Sequence, residues 1–202
     1  MAIQFPTWMA LGPSLTLGLT ALLLLIYDSI APDSSSRGVL AGVTTLGSLV
    51  AAGLSAWYLL EGTGQTPITL YGDALVVDTM SLFFAFVFAS VTALVSVASF
   101  DYLRDHSYQA EYYALVALAA TGMTLMASAN SLAVAFVSLE LSSLPSFALV
   151  AILKKNRGSV EAGLKYFLIG ALSSAILAYG ISLVYAVTGS LLLPDIASAV
   201  GG

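Results

Sequence analysis

A chain of 202 residues that is 59% hydrophobic and only 8% charged cannot hide its apolar surface inside a water-soluble fold of that size, so its solvent is lipid; the mean hydropathy of +0.97 agrees. With no cysteine there are no disulfides, thiolate metal sites or cysteine nucleophiles, and one histidine, His106, cannot build a metal site alone. A formal charge of −5 without a basic patch argues against nucleic acid as a partner, and the acidic balance also suits a halophilic source.

The opening MAIQFPTW has no positive charge ahead of the first apolar run, so that run reads as a permanent span and not a cleaved signal. A bilayer-crossing helix needs about 20 apolar residues. Six segments qualify: 8–27, 39–60, 79–100, 112–128, 132–153 and 166–187. Between them lie the polar turn DSIAPDSSSRG, the longer EGTGQTPITLYGDALVVD, the charged DYLRDHSYQAE, the tight ASANS and the basic KKNRGSVEAGLK. The tail of the second connection alternates apolar and polar residues, as a short β-hairpin would. Gly62 and Gly64 have no suitable helix after them and read as turn residues.

Orientation follows from the basic residues. Arg37 lies between spans one and two and Arg104 between three and four. Lys154, Lys155, Arg157 and Lys165 lie between five and six. All six therefore fall on one side. The expectation is that this side is cytoplasmic, with the N-terminus, the 61–78 connection and the C-terminus outside. Gly47, Ala51 and Ser55 on span two, and Gly170, Ser174, Ala178 and Ser182 on span six, recur at four-residue spacing, which lets helix backbones approach closely. Such rows serve packing within the bundle or a partner interface.

The fifth span, FVSLELSSLPSFALV over 136–150, holds the one residue a membrane span resists. Of eleven acidic residues, ten fall in connections or near span ends, and Glu140 alone lies deep. A charged carboxylate at mid-bilayer costs about 2.5–3.5 kcal/mol on insertion scales. Glu140 therefore faces a water-filled path and carries protons, pairs with a buried cation, or stays neutral in the core. Burial favours the neutral carboxyl and a nearby cation the charged one. A group held between those pulls changes protonation state cheaply, as a relay requires. Helical spacing places Phe136, Glu140, Ser143, Leu144 and Phe147 on one face, and Ser143 could hold a water beside the carboxyl. Pro145 has no N–H, so the Leu141 carbonyl loses its helical donor and the span is expected to kink there; the kink serves either the relay or packing. No Ser-His-Asp set, phosphate loop or metal cluster supports an enzyme site on this chain.

These residues resemble a known family. LELSSLPSFALVAILKKNRGSVEAGLKYFLIGALSSAILAYGISLVYAVTG, residues 139–189, is similar to the fifth and sixth spans of subunit N of the complex I family, a proton-pumping, antiporter-like subunit of NADH:quinone oxidoreductase. GDALVVDTMSLFF, residues 72–84, resembles the family's approach to the third span; the first two spans carry no discriminating motif. The resemblance implies that Glu140 is the family's proton-path glutamate, and Pro145 fits subunit N better than its large paralogues. It implies partnership with the other membrane subunits and the surrounding lipid. Quinone is reached only through neighbouring subunits, and no cofactor sits on this chain. Lys165 matches a lysine at the start of the sixth span and serves either proton uptake or a surface pair with Glu161. Full-length members continue into a second inverted repeat, which six spans leave out, together with the broken helix whose lysine partners the glutamate. The chain is therefore read as one membrane domain, residues 1–202, from a truncated, split or fragmentary subunit.

The expectation is an all-α, polytopic membrane helix bundle in a prokaryotic plasma membrane, translocating protons with energy from redox chemistry elsewhere. A subunit of a multisubunit cation/proton antiporter shares the glutamate, although EAGLKYF favours complex I. A non-transporting membrane scaffold would make Glu140 dispensable.

Overall fold

The computed structural model describes residues 7–30, 37–104 and 108–201; His106 lies outside them. Six of its helices are long and apolar enough to cross a membrane. A 3-10 turn, Thr7–Leu11, leads into α1, Gly12–Ile30, and α2 spans Arg37–Leu60. A hairpin of β1, Ile68–Leu70, and β2, Leu75–Val77, precedes α3, Thr79–Tyr102. Then come α4, Gln109–Ala127, α5, Leu132–Val150, α6, Arg157–Thr188, and α7, Leu193–Gly201.

Local chemistry sets these boundaries. Asp78 caps α3 by accepting from the Ser81 N–H at 2.7 Å, while the Ser81 hydroxyl accepts the Asp78 N–H at 2.8 Å. This reciprocal pair satisfies two donors that the first turn leaves free. Asn156 caps α6 by accepting from Gly158 and Ser159 N–H groups at 2.9 and 3.3 Å. That helix stops at Gly189, whose φ of 71° is the left-handed turn a glycine adopts without a Cβ clash.

Three features differ from the sequence expectation. Helix α6 starts at Arg157 and not near 166, because the Asn156 cap places the charged Glu161 and Lys165 inside its first turns. Helix α7 has only 9 residues, too few for a spanning segment. Gly64 is more than a turn residue: a Cβ there would collide with the Asp78–Thr79 backbone. The hairpin itself forms as the alternation suggested, antiparallel with Leu70 opposite Leu75. Positive φ at Tyr71, Gly72 and Asp73 makes its turn.

The two ends of the bundle differ in kind. At one, the 128–131 turn threads between the hairpin and the 189–193 connection. Val76 N–H donates to Ser128 O at 2.8 Å, Asn130 N–H to Ala74 O at 2.9 Å, Leu132 N–H to Leu191 O at 2.9 Å and Leu193 N–H to Asn130 O at 3.0 Å. The Asn130 side-chain amide adds a bond to Asp73 O at 2.8 Å. At the other end, Lys154 lies 3.8 Å from Glu111, with its ammonium 4.1 Å from the centre of the Tyr108 ring. The connections rich in Lys and Arg thus meet at the end opposite the hairpin.

Helix α4 is the centre. It packs against α1, α2, α3 and α5, and half of its apolar stretch is buried, whereas none of that of α6 is. The row on α2 serves the bundle: Ala51 and Ser55 are fully buried, and a side chain at Gly47 would strike Thr20. The row on α6 divides. Gly170 takes the Phe147 ring and Ser174 is half-buried, but Ala178 and Ser182 are exposed.

The even number of spans and the clustered basic end generate a topology test. The chain has no native cysteine, so Thr66→Cys beside the hairpin and Lys155→Cys at the basic end each give a single label site, and both positions are exposed. Membrane-impermeant maleimide should reach Thr66→Cys from outside intact cells and Lys155→Cys only after the membrane is opened. Labelling of both from one face would break the arrangement.

Candidate functional site

Many of the bundle's buried hydroxyls are bonded within their own helices. Hydroxyls of Thr44, Ser48, Ser55, Ser96 and Thr121 each donate to the carbonyl four residues earlier, at 2.8–2.9 Å. Such back-bonding is how a hydroxyl is carried in a dry interior. Among the described residues, one buried side-chain atom has no partner: Oε1 of Glu140.

Glu140 is the ninth residue of α5. At 1.5 Å rise per residue it lies about 12 Å from Leu132 and about 15 Å from Val150, near the middle of the span. The side chain as a whole is half-buried. A buried oxygen without a donor is costly if charged.

The other residues singled out by the sequence surround it unevenly. The Ser143 hydroxyl donates to the Glu140 main-chain carbonyl at 3.5 Å, a long bond that leaves it loosely committed. Pro145 is buried inside α5, which remains one helix from Leu132 to Val150. Ser146, next to the proline, donates to Ser142 O at 2.8 Å. Two turns beyond Glu140, Phe147 packs edge-on against Tyr166 at 4.7 Å and Phe167 at 6.1 Å between ring centroids, tying α5 to α6. Lys165 is not brought into this cluster of contacts. It is exposed and pairs with Glu161 at 2.5 Å, one helical turn away, with side-chain exposures of 68% and 66%. Among the described residues no group of three or more His, Asp or Glu side chains comes together to hold a metal.

One participant was not singled out in the sequence. Gly122 of α4 faces the turn of α5 that carries Glu140, and a Cβ there would lie 2.5 Å from Ser142 N and 2.7 Å from Ser138 O. The only trace in the sequence is a glycine in the alanine-rich ALAATGMTLMA.

Several known proteins resemble this chain. A family described as "NADH:quinone oxidoreductase/Mrp antiporter, TM" matches residues 129–201, the part that holds Glu140. The chain is 38% identical over 196 residues to F(420)H(2) dehydrogenase subunit N of Methanosarcina mazei, covering 96% of this chain and 40% of that protein. It is 36% identical over 207 residues to NADH-quinone oxidoreductase subunit N 2 of Symbiobacterium thermophilum, covering 98% of this chain and 40% of the relative. Among solved structures, a chain of the membrane-bound sulfane sulfur reductase, an archaeal respiratory membrane complex, superposes with a TM-score of 0.79 at 21% identity. That likeness shows the fold; it covers 95% of this chain and 39% of the other. A chain of respiratory complex I from Thermus thermophilus gives 0.72 at 30% identity, covering 94% and 41%. The chain thus spans about two-fifths of the length of the relatives it matches.

The Lys165–Glu161 pair is solvent-facing and four residues apart, so its coupling should be a few tenths of a kcal/mol. Lys165→Ala, Glu161→Ala and the double variant, compared by denaturation in detergent, should give that coupling. A coupling of several kcal/mol would mean that the pair is buried in the working protein.

Proposed function

This chain resembles subunit N of the NADH-quinone oxidoreductase family over nearly its whole length, and we propose that it supplies the N-terminal part of that proton-translocating, antiporter-like membrane subunit. Under this reading residues 1–202 form one membrane domain. It lies in a prokaryotic plasma membrane with the basic end cytoplasmic and the N-terminus outside. Its partners are the other membrane subunits of the complex, with lipid on the remaining faces. Redox chemistry and quinone binding belong to neighbouring subunits, so no cofactor is assigned to this chain.

The observation that carries the proposal is the partnerless Oε1 of Glu140 at mid-span. In a dry interior whose hydroxyls are otherwise internally bonded, a carboxyl left open is poorly explained by stability. It is well explained by a proton that stops there. The carboxyl takes up a proton when no cation is near, because the neutral form is cheaper in lipid. It releases the proton when a cation elsewhere in the complex approaches and stabilises the carboxylate. Redox chemistry in other subunits would drive that approach. The weakly held Ser143 hydroxyl can turn to a water beside the carboxyl. Pro145 leaves the Leu141 carbonyl without its helical donor, so α5 can bend one turn from Glu140. Lys165, at the basic end, is a point where protons could be collected; its exposed pair with Glu161 equally supports a plain surface role.

Glu140→Gln keeps the shape and removes the titrating group. In vesicles containing the assembled complex it should leave assembly nearly intact and reduce proton uptake to a small fraction of the parental level. Quinone reduction should slow if the two are tightly coupled, and Glu140→Asp should do less harm. Parental uptake in Glu140→Gln would end the relay role and leave the carboxyl a tolerated core residue.

A further inference from the structure

We propose that Gly122 is the positioning residue for Glu140, setting the depth at which α5 seats on α4 and so the place where the carboxyl is held. The inference rests on the relay reading of Glu140 and adds a residue to it. A Cβ at position 122 would meet Ser142 N at 2.5 Å, Ser138 O at 2.7 Å and the Leu141 carbonyl carbon at 2.8 Å. All three are backbone atoms, and they bracket Glu140 on both sides in sequence. At Gly47 and Gly170 the obstructing groups are instead side chains, Thr20 and Phe147, which can rotate away. Among the glycines of the described spanning helices, Gly122 alone meets only backbone.

The contact also has a direction. On the α4 side, Ala120 is 3% exposed and packs with Leu17, Ala51, Ala52 and Ala89, while Thr124 is 1% exposed. Helix α4 therefore cannot retreat into the core, and any side chain at 122 must push α5 outward. Lengthening the 2.5 Å approach to an ordinary 3.4 Å moves that turn by about 0.9 Å. Helix α5 packs chiefly against α4 and the scarcely buried α6; its other core contact is at Val134, near its start, against the hairpin cluster, so little of the core beside Glu140 resists the shift. A misplacement of about 1 Å at a reacting group costs up to about 100-fold in rate.

The test uses the assembled complex in vesicles, with proton uptake per quinone reduced and its pH profile as readouts. Gly122→Ala should assemble, keep quinone reduction, lose about tenfold in uptake and displace the pH profile, because the carboxyl's surroundings change. Gly18→Ala serves as the control. A Cβ there meets Thr121 at an ordinary 3.5 Å in the same bundle, and it should leave both readouts parental. Parental uptake and profile in Gly122→Ala, with Glu140→Gln impaired, would overturn this inference while sparing the relay. Parental uptake in Glu140→Gln would instead remove the relay itself. A uniform loss of uptake with an undisplaced profile, or failure of Gly122→Ala to assemble, would show a folding role and equally overturn the proposal.

Discussion

The structure depends on how little side chain α4 presents. Lipid is as apolar as leucine, so burying apolar surface gives helices no reason to associate, and dispersion at close approach must do so. The buried positions of α4 are largely Ala110, Ala114, Ala117, Ala119, Ala120, Thr121, Gly122 and Thr124. On that smooth column α1, α2, α3 and α5 can all be seated at once. The larger Tyr113 sits toward the basic end, where Leu24, Leu40 and Leu103 form an apolar cluster around it. A bulky residue at mid-column would separate the very helices that hold the carboxyl in place.

Close approach also explains the polar inventory. Hydroxyls are small enough to lie in tight interfaces, and each returns its hydrogen to its own helix, so α2, α3 and α4 gain packing without exposing polar groups to lipid. A glutamate cannot do this: its carboxyl stands too far from its own backbone to fold back in a helix. Mid-span, it must be protonated, watered or met by a cation. That difference separates Glu140 from the many buried serines and threonines around it.

Much of this was legible in the chain. The spans follow from length and apolarity, the shared end of the basic residues from six Lys and Arg positions, and the hairpin from alternation in TPITLYGDALVVD. Glu140 stood out because an acid is rare at that depth. What was not legible is non-local or short. Helix α7 is 9 residues long and leaves no signature at membrane scale. The true start of α6 was hidden because charge inside a first turn looks like a connection. The roles of Gly64 and Gly122 reside in the backbone of another segment, Asp78–Thr79 in one case and Ser138–Ser142 in the other. No single-sequence periodicity reports the partner that a missing side chain admits.

The two sides of α5 are built differently. Toward α4 the contact is backbone against backbone at Gly122, which has no soft degree of freedom. Toward α6 it is the Phe147 ring seated over Gly170 and edge-on to Tyr166 and Phe167, about two turns from Glu140. Aromatic rings can tilt and rotate where a helix backbone cannot. Between the two contacts lies Pro145, which removes one backbone bond and lowers the resistance of that turn to bending. The relay proposed for Glu140 requires a fixed address for the carboxyl and changeable surroundings. A rigid seat on one side, a rotatable lock on the other and a softened turn between them meet both demands within a single helix.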